Sequence, residues 1–188
     1  MNGGVGLLLA PGAGASRDQP ALVAVDRAAS AAGVAVVRMD FPYRLAGRRA
    51  PDRQPVLVNA VRDAAATLSG RGRRVVAGGR SMGARICSIA VAEGMAAAGL
   101  VLISYPLHPP RRPEQLRTGH FHLIEVPCLF VSGTRDSFGT PAELEAATRL
   151  IAGPVAHHWV EGRDHGLRGA EEAVAAVVVE WFTSHIPV

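Results

Sequence analysis

The sequence predicts an α/β domain built on a six-stranded, mainly parallel sheet with helices on both faces. Three observations carry this. Short β-rich runs alternate with helical stretches along the chain, and strand–helix alternation implies parallel strands joined by right-handed crossovers. Most of the β runs are continuously apolar, as strands covered on both faces must be. The chain has 188 residues, 48% of them hydrophobic. That fits one domain over residues 1–188, large enough to bury a core without disulfides.

The elements follow in order. A first strand is predicted at Val5–Ala10, closed by the glycine-rich turn Pro11-Gly12-Ala13-Gly14-Ala15-Ser16. A helix over Ala21–Ala32 ends at Gly33, a suitable C-cap. The second strand, Val34–Met39, leads into a long connection, Asp40 to Pro55. The next helix, Val56–Leu68, stops at Ser69-Gly70. The third strand, Arg74–Ala77, runs into Gly78-Gly79, and a helix over Met82–Ala97 follows Ser81. The fourth strand, Leu100–Ser104, opens a second long connection, Tyr105 to Pro127. The fifth strand, Cys128–Ser132, precedes a helix over Pro141–Ile151 with Thr140 as N-cap, Pro141 in the first turn and Glu143 near N3. The sixth strand, Val155–Val160, and a helix over Ala170–His185 complete the chain. The predicted spatial order is 2-1-3-4-5-6. Long loops in compact domains are often functional, and in open α/β sheets the site lies beyond the carboxyl ends of the strands. Both long connections leave from that edge.

Several function classes are disfavoured. No apolar run approaches the roughly 18 residues of a membrane helix. Val5–Ala10 is too short for a signal peptide and no basic residue precedes it, so the expected location is cytoplasmic. Cys87 and Cys128 lack metal-ligand spacing and read as two buried thiols. The net charge is +4, and all 20 basic residues are Arg. They are dispersed, without a recognition helix or aromatic-rich motif, so no nucleic-acid partner is expected. The Gly12–Ser16 turn lacks G-x-G-x-x-G spacing, and the chain has no lysine for a phosphate loop. No metal and no organic cofactor is expected.

The chemistry sits in Gly79-Arg80-Ser81-Met82-Gly83. Gly-x-Ser-x-Gly is weak alone and gains force from a strand before it and a helix after it. Val75-Val76-Ala77 supplies the first, and Ile86 to Ala92 the second. A sharp strand-to-helix turn strains the apex residue and needs small neighbours at −2 and +2, where Gly79 and Gly83 stand. A serine hydroxyl needs a base to act as a nucleophile, and the order to seek in this topology is Ser, Asp or Glu, His. Asp136 follows the fifth strand and His165 the sixth, so all three emerge on one edge. In this reading Ser81 attacks a carbonyl, His165 moves the proton and Asp136 orients and stabilises the imidazole. The oxyanion hole would use the Met82 N–H and one from the first turn, Ala13 before Gly12.

Taken together, LLLAPGAGA, GGRSMGAR, LFVSGTRDSFGT and GRDHGL resemble the α/β-hydrolase superfamily, more narrowly its small cap-less dienelactone-hydrolase-like members. The resemblance to compact bacterial members akin to the hydrolase-like domain of the NSL-complex subunit and the testis-expressed hydrolase-like protein extends to MDFPYRLAGRRAPD and covers nearly the whole chain. It implies Ser81, Asp136 and His165 as the triad. It also implies an eight-stranded fold, from which this chain departs by being reduced at the N-terminus. Pro11 stands where many relatives carry a His that holds the oxyanion loop. Some members of the group are complex subunits with no established reaction.

Two functions therefore stand: a serine hydrolase acting on a small-molecule ester or thioester, or an interaction module that keeps the fold without using the triad. Each residue also has a plainer reading. Ser81 could close a tight turn, Asp136 could be a helix-capping or turn carboxylate, and His165 could lie on the surface. Asp164 is the rival acid, but its adjacency to His165 works against it. Phe41, Tyr43, Tyr105, Leu107 and Phe138 are candidates to line an acyl pocket. Arg80 either binds substrate or makes a structural ion pair, and arginines of the two long connections could favour anionic substrates. His157 and His158 would pack or face solvent, while one of His108, His120 and His122 could line the pocket. The second strand is left as an exposed sheet edge, which invites pairing, so a homodimer is a candidate assembly.

Overall fold

The computed structural model describes residues 4–186. Its strands and helices are β1 (Val5–Ala10), α1 (Pro20–Ala31), β2 (Ala35–Arg38), α2 (Pro42–Leu45), α3 (Gln54–Ser69), β3 (Arg74–Arg80), α4 (Met82–Ala92), β4 (Gly99–Ile103), β5 (Cys128–Gly133), α5 (Pro141–Thr148), β6 (Val155–Val160) and α6 (Glu171–His185). The strands form one sheet in the order β2-β1-β3-β4-β5-β6. Every neighbouring pair is parallel. This is the order expected from the sequence.

Side chains on a strand alternate between faces, and here both faces are covered. Val5, Leu7 and Leu9 pack with Leu22, Val25, Val174, Val178 and Trp181 of α1 and α6. Leu8 and Ala10 pack with Leu57, Val61, Ile86 and Cys87 of α3 and α4. Each fully buried Leu or Val contributes roughly 1.5–3 kcal/mol relative to exposure. The two edge strands, β2 and β6, are only partly buried. Cys87 and Cys128 are free and buried, and burial pushes both thiols up to about 12.

Some boundaries differ from expectation for identifiable reasons. β3 runs on through Gly78 and Gly79 to Arg80. Here the glycines do not break the strand; they admit neighbouring backbone, since a Cβ at Gly79 would overlap the Ala10 carbonyl. α4 stops at Ala92 rather than Ala97, because Gly94 follows at φ 93°. α5 ends at Thr148, while its predicted capping box is present: Thr140 Oγ1 accepts from the Glu143 N–H and Glu143 Oε2 accepts from the Thr140 N–H. The short helix α2 was not expected within the Asp40-to-Pro55 connection; Phe41 precedes it in an extended conformation and Pro42 starts it.

Candidate active site

Ser81 stands between β3 and α4 with φ 52° and ψ −114°, a strained conformation for a residue with a Cβ. Its backbone N–H donates to the Ile103 carbonyl of β4 at 2.9 Å, which pins the turn to the sheet. A Cβ at Gly83 would overlap the Ala10 carbonyl, as one at Gly79 would. The two glycines therefore let β1 pass directly against the turn.

The loops after β5 and β6 are stitched together. The Arg135 N–H donates to the Arg163 carbonyl at 2.9 Å, and the Gly162 N–H to Thr134 Oγ1 at 2.9 Å. A Cβ at Gly133 would overlap the Arg163 carbonyl. This close approach brings Asp136 to His165. Asp136 Oδ2 lies 2.8 Å from His165 Nδ1, and His165 Nε2 lies 2.8 Å from Ser81 Oγ. The other carboxylate oxygen of Asp136 accepts from the Phe138 N–H at 2.8 Å. Asp136 is almost fully buried, whereas the His165 side chain keeps 18% of its surface exposed. With the carboxylate as acceptor, Nδ1 carries a proton and Nε2 faces the serine as acceptor. Asp164 does not compete, because its Oδ1 accepts from the Gly166 N–H.

The turn after β1 is also held. Gly12 N–H donates to Gln19 Oε1 at 3.0 Å, Gly14 N–H to Tyr43 Oη at 2.9 Å, and Ala15 N–H to the Gly12 carbonyl at 3.2 Å. Among the described residues, the Ala13 N–H has no acceptor within the protein. Of the two donors named from sequence, Gly12 is thus already engaged.

The expected pocket-lining residues divide. Phe41, Tyr43, Tyr105 and Leu107 have at most 1% of their surface exposed, so they build core and present no wall to a ligand. This corrects the expectation for Phe41, Tyr43, Tyr105 and Leu107: apolar side chains in a connection over a sheet gain more by joining the adjacent core than by facing water. Tyr43 instead spends its hydroxyl on the turn after β1, and Tyr105 donates to the Arg117 carbonyl. Phe138 is half-buried, its ring 4.1 Å from that of His165. Arg80 shares the α1/α6 face with Val76 and donates to the His165 carbonyl at 2.6 Å. Burial lowers its guanidinium pKa, while Asp136 and Asp164 pull upward. It also lines a cleft of about 560 Å³ with Gln19, Gly166, Arg168 and Glu171.

Of the remaining histidines, His157 packs between Phe130 and Trp159 and pairs with Thr148. His108 is buried with Nε2 3.6 Å from Glu143. His120 lies 2.8 Å from Ser88 Oγ, a pairing the sequence reading missed. Gln19 and the hydroxyl of Tyr43, as supports of the turn after β1, were missed too; side chains reaching across the fold leave no local signal. Among the described residues, no three His, Cys, Asp or Glu side chains gather as a metal site.

Fold and geometry together define an α/β protein with a serine at a strained strand-to-helix turn and a histidine and buried aspartate behind it. The alpha/beta hydrolase domain model matches residues 4–176, and the chain belongs to that family. Its fold is similar to Est1E from Butyrivibrio proteoclasticus, with a TM-score of 0.80 at 15% identity, covering 99% of this chain and 90% of that one. It is also similar to an alpha-beta serine hydrolase homologue from Coxiella burnetii (TM-score 0.76, 17% identity, 93% and 84% covered). A third likeness is to a dienelactone hydrolase from Anabaena variabilis (TM-score 0.73, 22% identity, 98% and 88% covered).

Proposed function

We propose that this protein is a serine hydrolase that cleaves a small-molecule carboxylic ester or thioester through an acyl-serine intermediate. The observation that carries the reading is the hydrogen-bonded run Asp136–His165–Ser81, with each link at 2.8 Å. In the first half, Ser81 Oγ bonds to the substrate carbonyl carbon as its proton passes to His165 Nε2. The tetrahedral intermediate collapses, and the leaving alcohol or thiol takes that proton. In the second half, water attacks the acyl-serine, His165 takes the proton from the water, and Ser81 recovers it as the acid departs. Asp136 keeps the imidazole in the Nδ1–H tautomer and stabilises the imidazolium. The oxyanion would meet the Met82 N–H, at the start of α4 where the helix dipole also favours negative charge, and the unengaged Ala13 N–H. Gln19 and Tyr43 hold the turn that carries Ala13.

A second reading, an interaction module with an unused triad, is favoured by one observation. Phe41, Tyr43, Tyr105 and Leu107 are buried in the core, which leaves the acyl site shallow. Intact-mass analysis after incubation with p-nitrophenyl acetate separates the two. The hydrolase reading predicts a single acetyl adduct, located by peptide mapping on Ser81 and absent in Ser81→Ala. A folded protein that neither acquires the adduct nor releases p-nitrophenol above background supports the module.

A further inference from the structure

A cleft of about 340 Å³ opens between α3, α4 and the connection after β4, with Gln54, Arg85, Glu93, Arg117 and His120 on its walls. Its charges do not balance. The acid lining it, Glu93, is already paired with Arg62 at 3.2 Å. Among the described residues, neither Arg85 nor Arg117 has a carboxylate partner. Arg85 donates to the neutral Gln54 Oε1 at 2.8 Å, and Arg117 to the Pro106 carbonyl at 3.3 Å. The Arg85 Nε–H is buried and has no acceptor.

The third basic side chain adds no charge. Ser88 Oγ donates to the Arg85 carbonyl at 2.8 Å, so its oxygen accepts from His120 Nε2–H, also at 2.8 Å. Burial and the neighbouring Arg85 lower His120 to about 4, leaving it neutral at pH 7. Burial and Arg85 likewise depress Arg117. Like charges held together and partly out of water are unfavourable, and a ligand of opposite charge relieves that cost.

We propose that this cleft binds an oxyanion, a phosphate monoester or carboxylate group of a small molecule, held by Arg85 and Arg117. Guanidinium forks match both groups in shape and form charge-assisted hydrogen bonds with them. Arg85 follows Ser81 by four residues, roughly 6 Å along the helix axis, and the walls of this cleft include none of Ser81, Asp136 and His165. The anion site stands whether or not Ser81 acts as a nucleophile.

The test is calorimetric titration of the whole chain with inorganic phosphate and, in a second arm, with glutarate, at pH 7 and ionic strength fixed with sodium chloride. We expect saturable binding in at least one arm, weakened about tenfold or more in Arg117→Gln and in Arg85→Gln. Circular dichroism checks the fold of each variant, and Arg117→Gln decides the matter if Arg85→Gln does not fold. Binding of phosphate alone assigns a phosphate ligand, and binding of glutarate alone a carboxylate. No saturable binding in either arm, or binding unchanged in the folded variants, overturns the proposal.

Discussion

Helix α4 and the turn before it carry two serine–histidine pairs with the same 2.8 Å separation, Ser81–His165 and Ser88–His120. Almost everything else about them differs. Ser81 sits at a turn with φ 52° and is partly exposed, whereas Ser88 lies within the helix and is fully buried. His165 has the Asp136 carboxylate behind it; His120 is buried with Arg85 beside it, and both disfavour the imidazolium. The Ser88 hydroxyl proton is committed to the Arg85 carbonyl, while Ser81 faces an accepting nitrogen. In the reading proposed above, distance between serine and histidine is not what makes a nucleophile. That reading rests on the carboxylate behind the ring, the tautomer it selects and access to a substrate.

The largest difference between the two pairs is expected to rest on Asp136. Asp136→Asn removes the carboxylate and makes the first pair resemble the second. Phe138 N–H can still donate to the amide oxygen, so the loop remains supported. The expected result is a fall of about 10³–10⁴-fold in the rate of modification of Ser81 by a fluorophosphonate, because the imidazole loses its tautomer and its counter-charge. A fall of less than tenfold in a folded variant would mean the carboxylate is incidental.

A smaller effect sharpens the other side. His120 is held at about 4 in the folded chain, mainly by burial and then by Arg85, against about 6.5 when unfolded. Between those values the unfolded state binds more protons, so stability rises with pH in that window and falls as pH drops toward 4. His157, also lowered by burial, adds in the same sense. His120→Gln should flatten the stability-versus-pH slope, removing on the order of 1–2 kcal/mol of the stability gained between pH 4 and 6.5 after discounting for solvent screening. Urea unfolding at several pH values measures it; an unchanged slope would mean the imidazole is better solvated than its surroundings imply.

What the sequence made legible follows the same division. The order of the strands, the two faces of the sheet and the meeting of Ser81, Asp136 and His165 at one edge rest on periodicity and on short motifs at strand ends. Those are local signals, and parallel topology turns them into geometry. The burial of the expected pocket residues was not legible: nothing local distinguishes a Phe41 or Tyr105 that faces a ligand from one that joins the core. Nor was the Ser88–His120 pair, because the connection after β4 folds back on α4 by contacts 32 residues apart in the chain. The supports of the turn after β1, Gln19 and Tyr43, belong with these, since Tyr43 reaches it from 29 residues away.

Fluorophosphonate labelling of the wild type, Ser81→Ala and Ser88→Ala side by side tests directly whether Ser81 is activated. The expected result is a labelled wild type, labelling abolished in Ser81→Ala and kept in Ser88→Ala. An unlabelled but folded wild type, or labelling that survives in Ser81→Ala, would contradict the claim that Ser81 is the activated serine of this fold.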